Sequence, residues 1–284
     1  MESMNLDKIV RKIAGKAFSG CLLAWSASVA YSGTMGPESI NSPNRIYFGV
    51  FGGGGAITST NMSQSGTAFF TEAAGGPLAV NSFGRAGSDS VGMVGGHIGF
   101  AWPTTTSGNF AVTPAVELEG YYLGKAKLQG HDINNDTTRL TEHDFLVSYP
   151  LESGVFLVNA VLNANNSVFG KFRPYVGVGI GSAVSSISNA SSLQTSPPEL
   201  GVNHYNADTN DSALAFAVQP KVGVHFDVNP RVSVFAEYRY LYLSQTNYTF
   251  GSTVYPTHAP TSPWQVSLKP QSYNMGTVGV EFDL

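Results

Sequence analysis

The sequence predicts an all-β fold, an eight-stranded antiparallel up-and-down transmembrane β-barrel with four long extracellular loops and short periplasmic turns. Three observations carry this prediction. Eight segments alternate apolar with polar or small residues, and several exceed the ~5–6 residues of an ordinary strand. Long polar connections alternate strictly with short ones. No apolar run reaches the ~18–20 residues of a transmembrane helix, so the membrane architecture that remains is a closed barrel.

Composition narrows the class of protein. Only 12% of the 284 residues are charged, 12% are aromatic and 32 are glycine, as suits one large all-β domain. The net charge of −4 comes without a basic patch, so a nucleic-acid partner is not expected. The one cysteine, Cys21, lies near the N-terminus, which excludes disulfide or thiol chemistry in the exported chain. No metal and no cofactor are expected.

The N-terminus predicts export. An apolar stretch that ends in the small residues Ser28-Val29-Ala30 follows four basic residues, Lys8, Arg11, Lys12 and Lys16. This order is typical of a secretory signal peptide. We therefore predict a signal peptide at 1–30, a short periplasmic segment at 31–44 and an outer-membrane barrel at 45–284. The alternative is a lipoprotein signal acylated at Cys21, which the position of the apolar stretch after the cysteine disfavours.

The segment 214–228 shows the strand pattern most clearly. Every second residue from Leu214 to Val228 is apolar, and Lys221 and His225 both fall on the opposite face. A tilted strand needs ~9–11 residues to cross a bilayer, so this ribbon is long enough to cross. It is predicted as the sixth barrel strand.

The first four strands are predicted in the segments 45–54, 90–102, 110–124 and 154–163. In each segment apolar side chains take alternate positions, which places them on one face of a strand. The residues on these apolar faces are Ile46, Phe48 and Val50; Val94, Ile98, Phe100 and Trp102; Val116, Leu118 and Tyr122; and Phe156, Val158 and Leu162.

The fifth, seventh and eighth strands are predicted in the segments 172–184, 231–243 and 273–284. They show the same alternation. Their apolar faces carry Phe172, Val176, Val178 and Ile180; Val232, Val234, Tyr238, Tyr240 and Tyr242; and Val278, Val280, Phe282 and Leu284. The last four residues are also the expected C-terminal signal for barrel assembly.

The connections indicate how the barrel is oriented. Long polar stretches at 55–89, 125–153, 185–212 and 244–272 alternate with the short turns "PTTTSGN", "ANNSVFGK" and "NPR". Outer-membrane barrels combine long extracellular loops with short periplasmic turns, so both termini are expected in the periplasm. Aromatic residues near the strand ends favour apolar faces directed towards lipid. The alternative is a soluble, lipocalin-like barrel with its apolar faces inward.

The stretch "FAVQPKVGVHFDVNPRVSVFAEYRYLYL", together with "RPYVGVGIG" and "GTVGVEFDL", resembles the eight-stranded opacity-like and OmpA-like outer-membrane barrels. The resemblance runs from about residue 45 to 284 and is strongest in strands five to eight. It implies insertion by the barrel-assembly machinery, which reads the last strand. It also implies the outer membrane of a Gram-negative bacterium, with membrane lipid and lipopolysaccharide as neighbours.

Charged residues on the polar faces are the candidates for a structural network inside the barrel. They are His97, Glu117, Glu119, Arg173, Lys221, His225, Glu237, Arg239 and Glu281. A carboxylate with a histidine and a base also permits a catalytic interpretation. Because an unpaired buried charge is costly, mutual ion pairing in a narrow lumen is the favoured interpretation, and no enzyme activity is predicted.

The loops are the candidate site of function. We expect a structural or interaction protein of the adhesin or surface-antigen type, whose loops contact host, phage or neighbouring cells. The alternative is a small outer-membrane channel for ions or, in the manner of OmpW-like barrels, for small apolar molecules. Apolar residues of the first loop are the binding candidates, because exposed apolar clusters tend to mark contact sites: Phe69, Phe70, Leu78, Val80 and Phe83. An acidic and histidine cluster in the second loop could bind a cation, but solvated charge is favoured: His131, Asp132, Asp136, Glu142, His143 and Asp144.

Overall fold

The computed structural model describes residues 44–107, 110–134, 139, 141–165 and 170–284. The signal peptide predicted at 1–30 and the segment up to residue 43 lie outside the described residues, as do parts of the first two predicted short turns. No helix in the described part of the chain is long and apolar enough to span a membrane.

The described residues form antiparallel β-strands and one short 3₁₀ helix, Glu72–Ala74. The strands are β1 (Arg45–Ile57), β2 (Thr60–Ala68), β3 (Leu78–Ala86), β4 (Asp89–Ala101), β5 (Thr105–Ser107), β6 (Phe110–Asn134), β7 (Asp144–Asn165), β8 (Phe172–Ile187), β9 (Ser191–Ser196), β10 (Asp211–Asn229), β11 (Val232–Leu243), β12 (Thr246–Phe250), β13 (Trp264–Leu268) and β14 (Gln271–Asp283).

Eight of these strands close into a barrel. In the described chain the order around the barrel is β1, β4, β6, β7, β8, β10, β11 and β14, and β14 pairs back to β1. Every pair is antiparallel. Closure satisfies the backbone hydrogen bonds of all eight strands without an exposed edge, which is what a strand needs in lipid. The predicted fold class is confirmed.

The apolar faces of the barrel strands point outward. Half or more of the side chain is exposed at Val50, Val94, Leu118, Val222 and Val278, one on each of five strands. Within the band, the charged residues Glu117, Glu119, Lys221 and Glu281 of the same strands are buried inside the barrel. A surface of this kind suits a lipid environment, and the lipocalin-like alternative with inward apolar faces is wrong.

Aromatic side chains mark both edges of the apolar band. At the short-turn end, rings pair at centroid distances of 5.1, 5.2 and 5.3 Å: Phe48 with Phe282, Phe172 with Phe226, and Phe100 with Trp102. At the opposite edge, tyrosine hydroxyls donate hydrogen bonds to polar groups: Tyr122 to Glu152 and Tyr240 to Ser272. Rings with an apolar body and a polar tip are enriched at membrane interfaces, so these residues define the limits of the band.

The long connections are more regular than the sequence predicts. The β6 and β7 strands, of 25 and 22 residues, continue well past the ~9–11 residues that cross a bilayer. Around them, β2 pairs with β3 and β13, β3 pairs with β6, β12 pairs with β13, and β9 pairs with β7. We call this part of the molecule the extension. It comprises β2, β3, β9, β12, β13, the ends of β6 and β7 (126–134 and 144–151) and the segments between these strands.

The polarity of the interior reverses between the band and the extension. In β11, Glu237 and Arg239 point inward within the band, and Leu241 and Leu243 point inward above it. The outer face changes from apolar in the band to more polar in the extension, because the extension meets water instead of lipid. In β6 the change coincides with a bulge between Leu123 and Ala126, which shifts the inward positions from odd to even residue numbers.

The turn after β10 shows how the short end is held. Asn229, Pro230 and Arg231 connect β10 to β11, and the backbone N–H of Arg231 donates a 2.8 Å hydrogen bond to the side-chain oxygen of Asn229. A side chain that binds its own backbone two residues later is typical of asparagine in tight turns. This turn places Lys221 and Arg239 in register on adjacent strands.

Candidate functional site: the barrel lumen and the extension

A buried ion-pair network crosses the lumen inside the apolar band. Lys221 Nζ on β10 lies 2.7 Å from Glu117 Oε2 and 3.0 Å from Glu119 Oε2, both on β6. Glu237 Oε2 on β11 lies 3.9 Å from the same ammonium group. Because β6 and β10 are not neighbours in the barrel, this contact spans the lumen. We call Glu117, Glu119, Lys221, Glu237 and Arg239 the lumen network.

Arg239 closes the network from the other side. Its guanidinium donates to Glu119 Oε1 and, through Nε at 2.6 Å, to Glu237 Oε1. The same group lies 4.0 Å from the ring centroid of Phe51 and 5.5 Å from that of Tyr121. Arg239 is fully shielded from solvent. A guanidinium that is both ion-paired and stacked on aromatic rings is held firmly in one place.

Neutral donors complete the coordination of the three carboxylates. Tyr47 and Asn159 donate hydrogen bonds to Glu117, Asn159 and Gln219 donate to Glu119, and Tyr175 and Thr277 donate to Glu237. Three carboxylates face two cations, so these donors offset the excess negative charge. A buried network with its acceptors satisfied in this way holds the strands in one arrangement and occupies the lumen.

A second group of charges lies nearer the short-turn end. Glu281 lies 3.4 Å from His97 Nε2, 3.9 Å from Arg173 and 4.0 Å from Arg45. The rings of Phe51 and Phe235 pack against the His97 ring of this group. The nine residues predicted for the lumen thus all point into the barrel, but eight of them form two clusters instead of one.

His225 belongs to neither cluster by ion pairing. Its ring stacks on Tyr175 at 4.5 Å between centroids and on Phe235 at 5.6 Å, and Ser233 Oγ lies 3.5 Å from its Nδ1. His225 therefore fills space among aromatic rings. Sequence alternation places a histidine in the lumen but does not reveal its neighbours.

The short-turn end opens into a polar cavity of about 440 Å³. Arg45, Lys171, Arg173, Asp227 and Asp283 are among the residues that line it. Arg45 donates a 2.8 Å hydrogen bond to Asp283. The cavity is a wet vestibule below the buried clusters.

The apolar candidates of the first loop separate into exposed and buried residues. Phe69 and Phe83 are 47% and 57% exposed, whereas Phe70 and Leu78 are half-buried. The expectation that Val80 meets water is wrong, because Val80 is 7% exposed and belongs to the core of the extension. Alternation along β3 explains the difference, since Val80 and Phe83 lie on opposite faces of the strand.

Phe83 has an apolar partner that the sequence analysis did not select. It lies directly opposite Ile133 of β6, which is 43% exposed. Cross-strand neighbours of this kind form a continuous apolar patch on the outer wall of the extension. We call Phe83 and Ile133 the exposed pair. No local sequence signal joins them, because they lie 50 positions apart in the printed sequence.

The structure does not gather the acidic and histidine cluster of the second loop into one site among the described residues. His131 Nδ1 lies 2.8 Å from Asp144, while His143 Nδ1 faces the carbonyl oxygen of Thr141. Asp132 points inward and is fully buried. Burial, and secondarily the charge of Asp144, raises the pKa of Asp132 to about 7. Asp136 lies outside the described residues.

The predicted assembly signal lies on the outer face of β14 and just beyond it. Val278 and Leu284 are 66% and 78% exposed, and Val280 and Phe282 are half-buried. Phe282 stacks on Phe48 of the first strand, next to the seam where the barrel closes.

Comparison with known proteins gives a family and a set of distant structural neighbours. The model of the family described as surface antigen matches residues 116–283, more than half of the chain. No curated protein matches the chain. Solved structures that are similar include Neisserial surface protein A, at 12% identity and a TM-score of 0.33 over 85% of this chain and 99% of that one.

Two further structures are similar at the same level. The outer membrane protein OprG of Pseudomonas aeruginosa is 12% identical, with a TM-score of 0.40 over 83% of this chain and 95% of its own. The outer membrane protease OmpT of Escherichia coli is 7% identical, with a TM-score of 0.36 over 83% of this chain and 97% of its own. The fold therefore rests on the strand pairing of the chain itself.

Proposed function

The chain belongs to the surface antigen family, and from this premise we propose that it is an outer-membrane barrel that presents its extension to host cells or the environment. The barrel is the anchor, the extension is the contact surface, and both termini face the periplasm. Kinship with the opacity-like and OmpA-like barrels belongs to the same proposal.

One observation supports the anchor role above all. The lumen network is buried, mutually paired and held by neutral donors, with Arg239 fully shielded from solvent. An eight-stranded barrel has an interior just wide enough for side chains, and here those side chains fill it. The same pairing argues against catalysis, because the lumen carboxylates are bound to cations instead of being available to a substrate.

The proposed contact surface is the outer wall and tip of the extension. An apolar core that includes Leu128, Val147 and Trp264 underlies this surface and continues into the barrel. Phe69 and the exposed pair supply apolar contact area that faces water. A protein or glycan ligand on another cell is the expected partner, with lipopolysaccharide beside the barrel and the assembly machinery required for insertion.

A small channel is the second candidate function. The polar vestibule of about 440 Å³ at the short-turn end favours it, because ions can enter that end of the barrel. Conduction would then require the lumen network to rearrange and open a path to the extension.

Two measurements test the proposal together. Intact cells are digested with a protease, and we expect cuts within the extension but none in the Asn229–Arg231 turn. The purified barrel is placed in planar bilayers, and the anchor role predicts no reproducible conductance steps. Steps whose size changes in Lys221→Met would instead establish the channel, and cuts in the Asn229–Arg231 turn on intact cells would overturn the orientation.

Binding by the extension is tested with surface variants. Phe83→Ser and Ile133→Ser are expected to reduce adhesion of protein-coated beads to host cells. Val94→Leu, on the lipid face, is the matched control and should leave adhesion unchanged. Unchanged adhesion in a combined Phe69, Phe83 and Ile133 variant would remove these residues from the proposed contact surface.

A further inference from the structure

Three potential metal ligands meet near the tip of the extension. Glu199 and His204 come from the connection that follows β9, and His258 comes from the connection between β12 and β13. Glu199 Oε2 lies 3.8 Å from His204 Nε2 and 3.6 Å from His258 Nε2. The three ligand atoms all lie within 4.8 Å of one another. We call these residues the His–Glu cluster.

Both imidazoles are oriented for metal binding. His204 Nδ1 lies 3.0 Å from the carbonyl oxygen of Ser192, and His258 Nδ1 lies 2.6 Å from that of Ala259. A carbonyl can only accept, so each Nδ1 carries the proton and each Nε2 presents a lone pair to the cluster. Metal-binding histidines almost always have a second hydrogen bond of this kind.

The surroundings hold His204 in this orientation. Its backbone carbonyl accepts a 2.9 Å hydrogen bond from Thr253 Oγ1, and Trp264 Nε1 donates to the same hydroxyl at 3.2 Å. The His204 ring packs edge-on against Phe145 at 5.2 Å and Trp264 at 6.0 Å between centroids.

We propose that Glu199, His204 and His258 bind a divalent first-row transition metal ion, for which Zn²⁺ is the probe, and that the ion ties the two connections together. Two imidazoles and one carboxylate are the nitrogen and oxygen donors such ions prefer, whereas Ca²⁺ and Mg²⁺ require mostly oxygen. Ligand bonds of ~2.0–2.1 Å in a tetrahedral site place donors roughly 3.3 Å apart, so the two distances from Glu199 to the histidines need to shorten by only a few tenths of an ångström.

The cluster is also accessible. His204 is buried, but the side chains of Glu199 and His258 are 30% and 18% exposed, so solvent or an external ligand can complete the coordination. Within the described residues, the ion pairs of Glu199 are made with these two histidines alone. A second group that could hold an ion, His97 with Glu117 and Glu119, differs because Lys221 already binds both of its carboxylates.

Cobalt titration of the folded barrel tests the proposal. The full chain is produced without a polyhistidine tag and folded in detergent, and Co²⁺ is added as a spectroscopic substitute for Zn²⁺. We expect one equivalent to bind, with a visible absorption band and quenching of Trp264 fluorescence, and Zn²⁺ to displace it. Glu199→Gln and His258→Gln are expected to weaken binding at least ~10-fold, since even outer-shell changes cost that much.

A matched variant separates this site from general surface binding. His131→Gln removes a histidine that lies 2.8 Å from a carboxylate elsewhere in the extension and should leave the affinity for Co²⁺ unchanged. Each variant must retain heat-modifiable gel migration, which reports a folded barrel independently of metal. The absence of saturable binding to the folded wild type, or equal affinity in wild type, Glu199→Gln and His258→Gln, would overturn the proposal. Neither result would affect the anchor role, which the conductance and proteolysis measurements test.

Discussion

Lys221 on β10 and Glu117 on β6 form a 2.7 Å ion pair across the lumen, and both residues are almost completely shielded from solvent. The pair joins two strands that lie three places apart around the barrel. Its geometry explains how a lumen with charged walls can be filled, because Lys221 and Arg239 reach Glu117 and Glu119 across the interior, while Arg239 also binds Glu237 of its own strand.

Removal of the cation should destabilise the barrel strongly. In Lys221→Met, Glu117 and Glu119 lose the ammonium group that they share and remain buried, for which a cost of ~3–5 kcal/mol is expected. Urea unfolding of the barrel in lipid vesicles measures this change. Lys125→Met, at an exposed position of β6, is the control and should cost less than ~1 kcal/mol. Equal losses in the two variants would contradict the role of the lumen network.

Charge on the lipid face should block assembly. Val222 is 51% exposed on the outer face of β10, and Val222→Arg is expected to cost ~2–4 kcal/mol near the bilayer midplane. Gly87→Arg places the same charge in the connection between β3 and β4, where an added Cβ makes only an ordinary 3.7 Å contact with the carbonyl oxygen of Gln129, and should be tolerated. Heat-modifiable migration of membrane fractions measures assembly. A harmless Val222→Arg would count against an outer face in lipid.

Substitutions at Val80 and at Phe83 should affect the stability of the extension differently. Val80→Asp buries a charge among apolar side chains and is expected to destabilise the extension by several kcal/mol. Phe83→Asp, three residues later on the exposed face, should change stability by no more than ~0.5 kcal/mol. Trp264 fluorescence during urea unfolding reports the extension, because Trp264 lies in the same core. A Val80 variant as stable as the Phe83 variant would show that the extension has no cooperative core.

Asp132 should make the stability of the extension depend on pH. Its pKa is raised to about 7 in the folded chain, so the neutral acid favours folding. The contribution is full below the ordinary pKa of about 4 and is lost as the pH rises through 7. The extension is therefore expected to be more stable at pH 5 than at pH 8, by up to ~3 kcal/mol from this group, because one pKa unit corresponds to ~1.4 kcal/mol and the group titrates mainly between pH 5 and 7.

Asp132→Asn isolates that effect. The amide stays neutral at both pH values, so we expect the variant to be more stable than wild type at pH 8 and similar to it at pH 5. The difference between variant and wild type cancels the titration of His131, Asp144 and other common groups. Parallel pH profiles for the two proteins would contradict a buried carboxyl with a raised pKa at position 132.

Alternation along each strand was enough to predict the membrane half of the barrel. Because successive side chains leave opposite faces of a strand, the apolar positions from Leu214 to Val228 could be assigned to one face and Lys221 to the other without knowledge of the neighbours. Strand length, turn length and the aromatic residues then indicated which face meets lipid. The ion pairs of Glu117 and Glu119 with Lys221 and Arg239 could not be read in this way, because they join residues from non-adjacent strands.

The sequence pattern predicts polar loops where the structure has the strands of the extension, and the reason is physical. Its strands are short and many of them face water, so their sequences contain Ser, Thr and Asn on the outer face and only a few apolar residues, such as Val80 and Val266, on the inner one. The bulge after Leu123 also interrupts the alternation of β6 at the point where the interior changes from polar to apolar.

The sequence by itself determined the strands, their two faces and the closed architecture, because lipid demands an apolar outer face and a paired backbone whatever the partners are. Only the tertiary structure decided which charges pair in the lumen, that Val80 is buried beside an exposed Phe83, and that His258 reaches Glu199 and His204. Those relationships depend on strand register and on the packing of distant connections, and no local pattern of residues encodes either one.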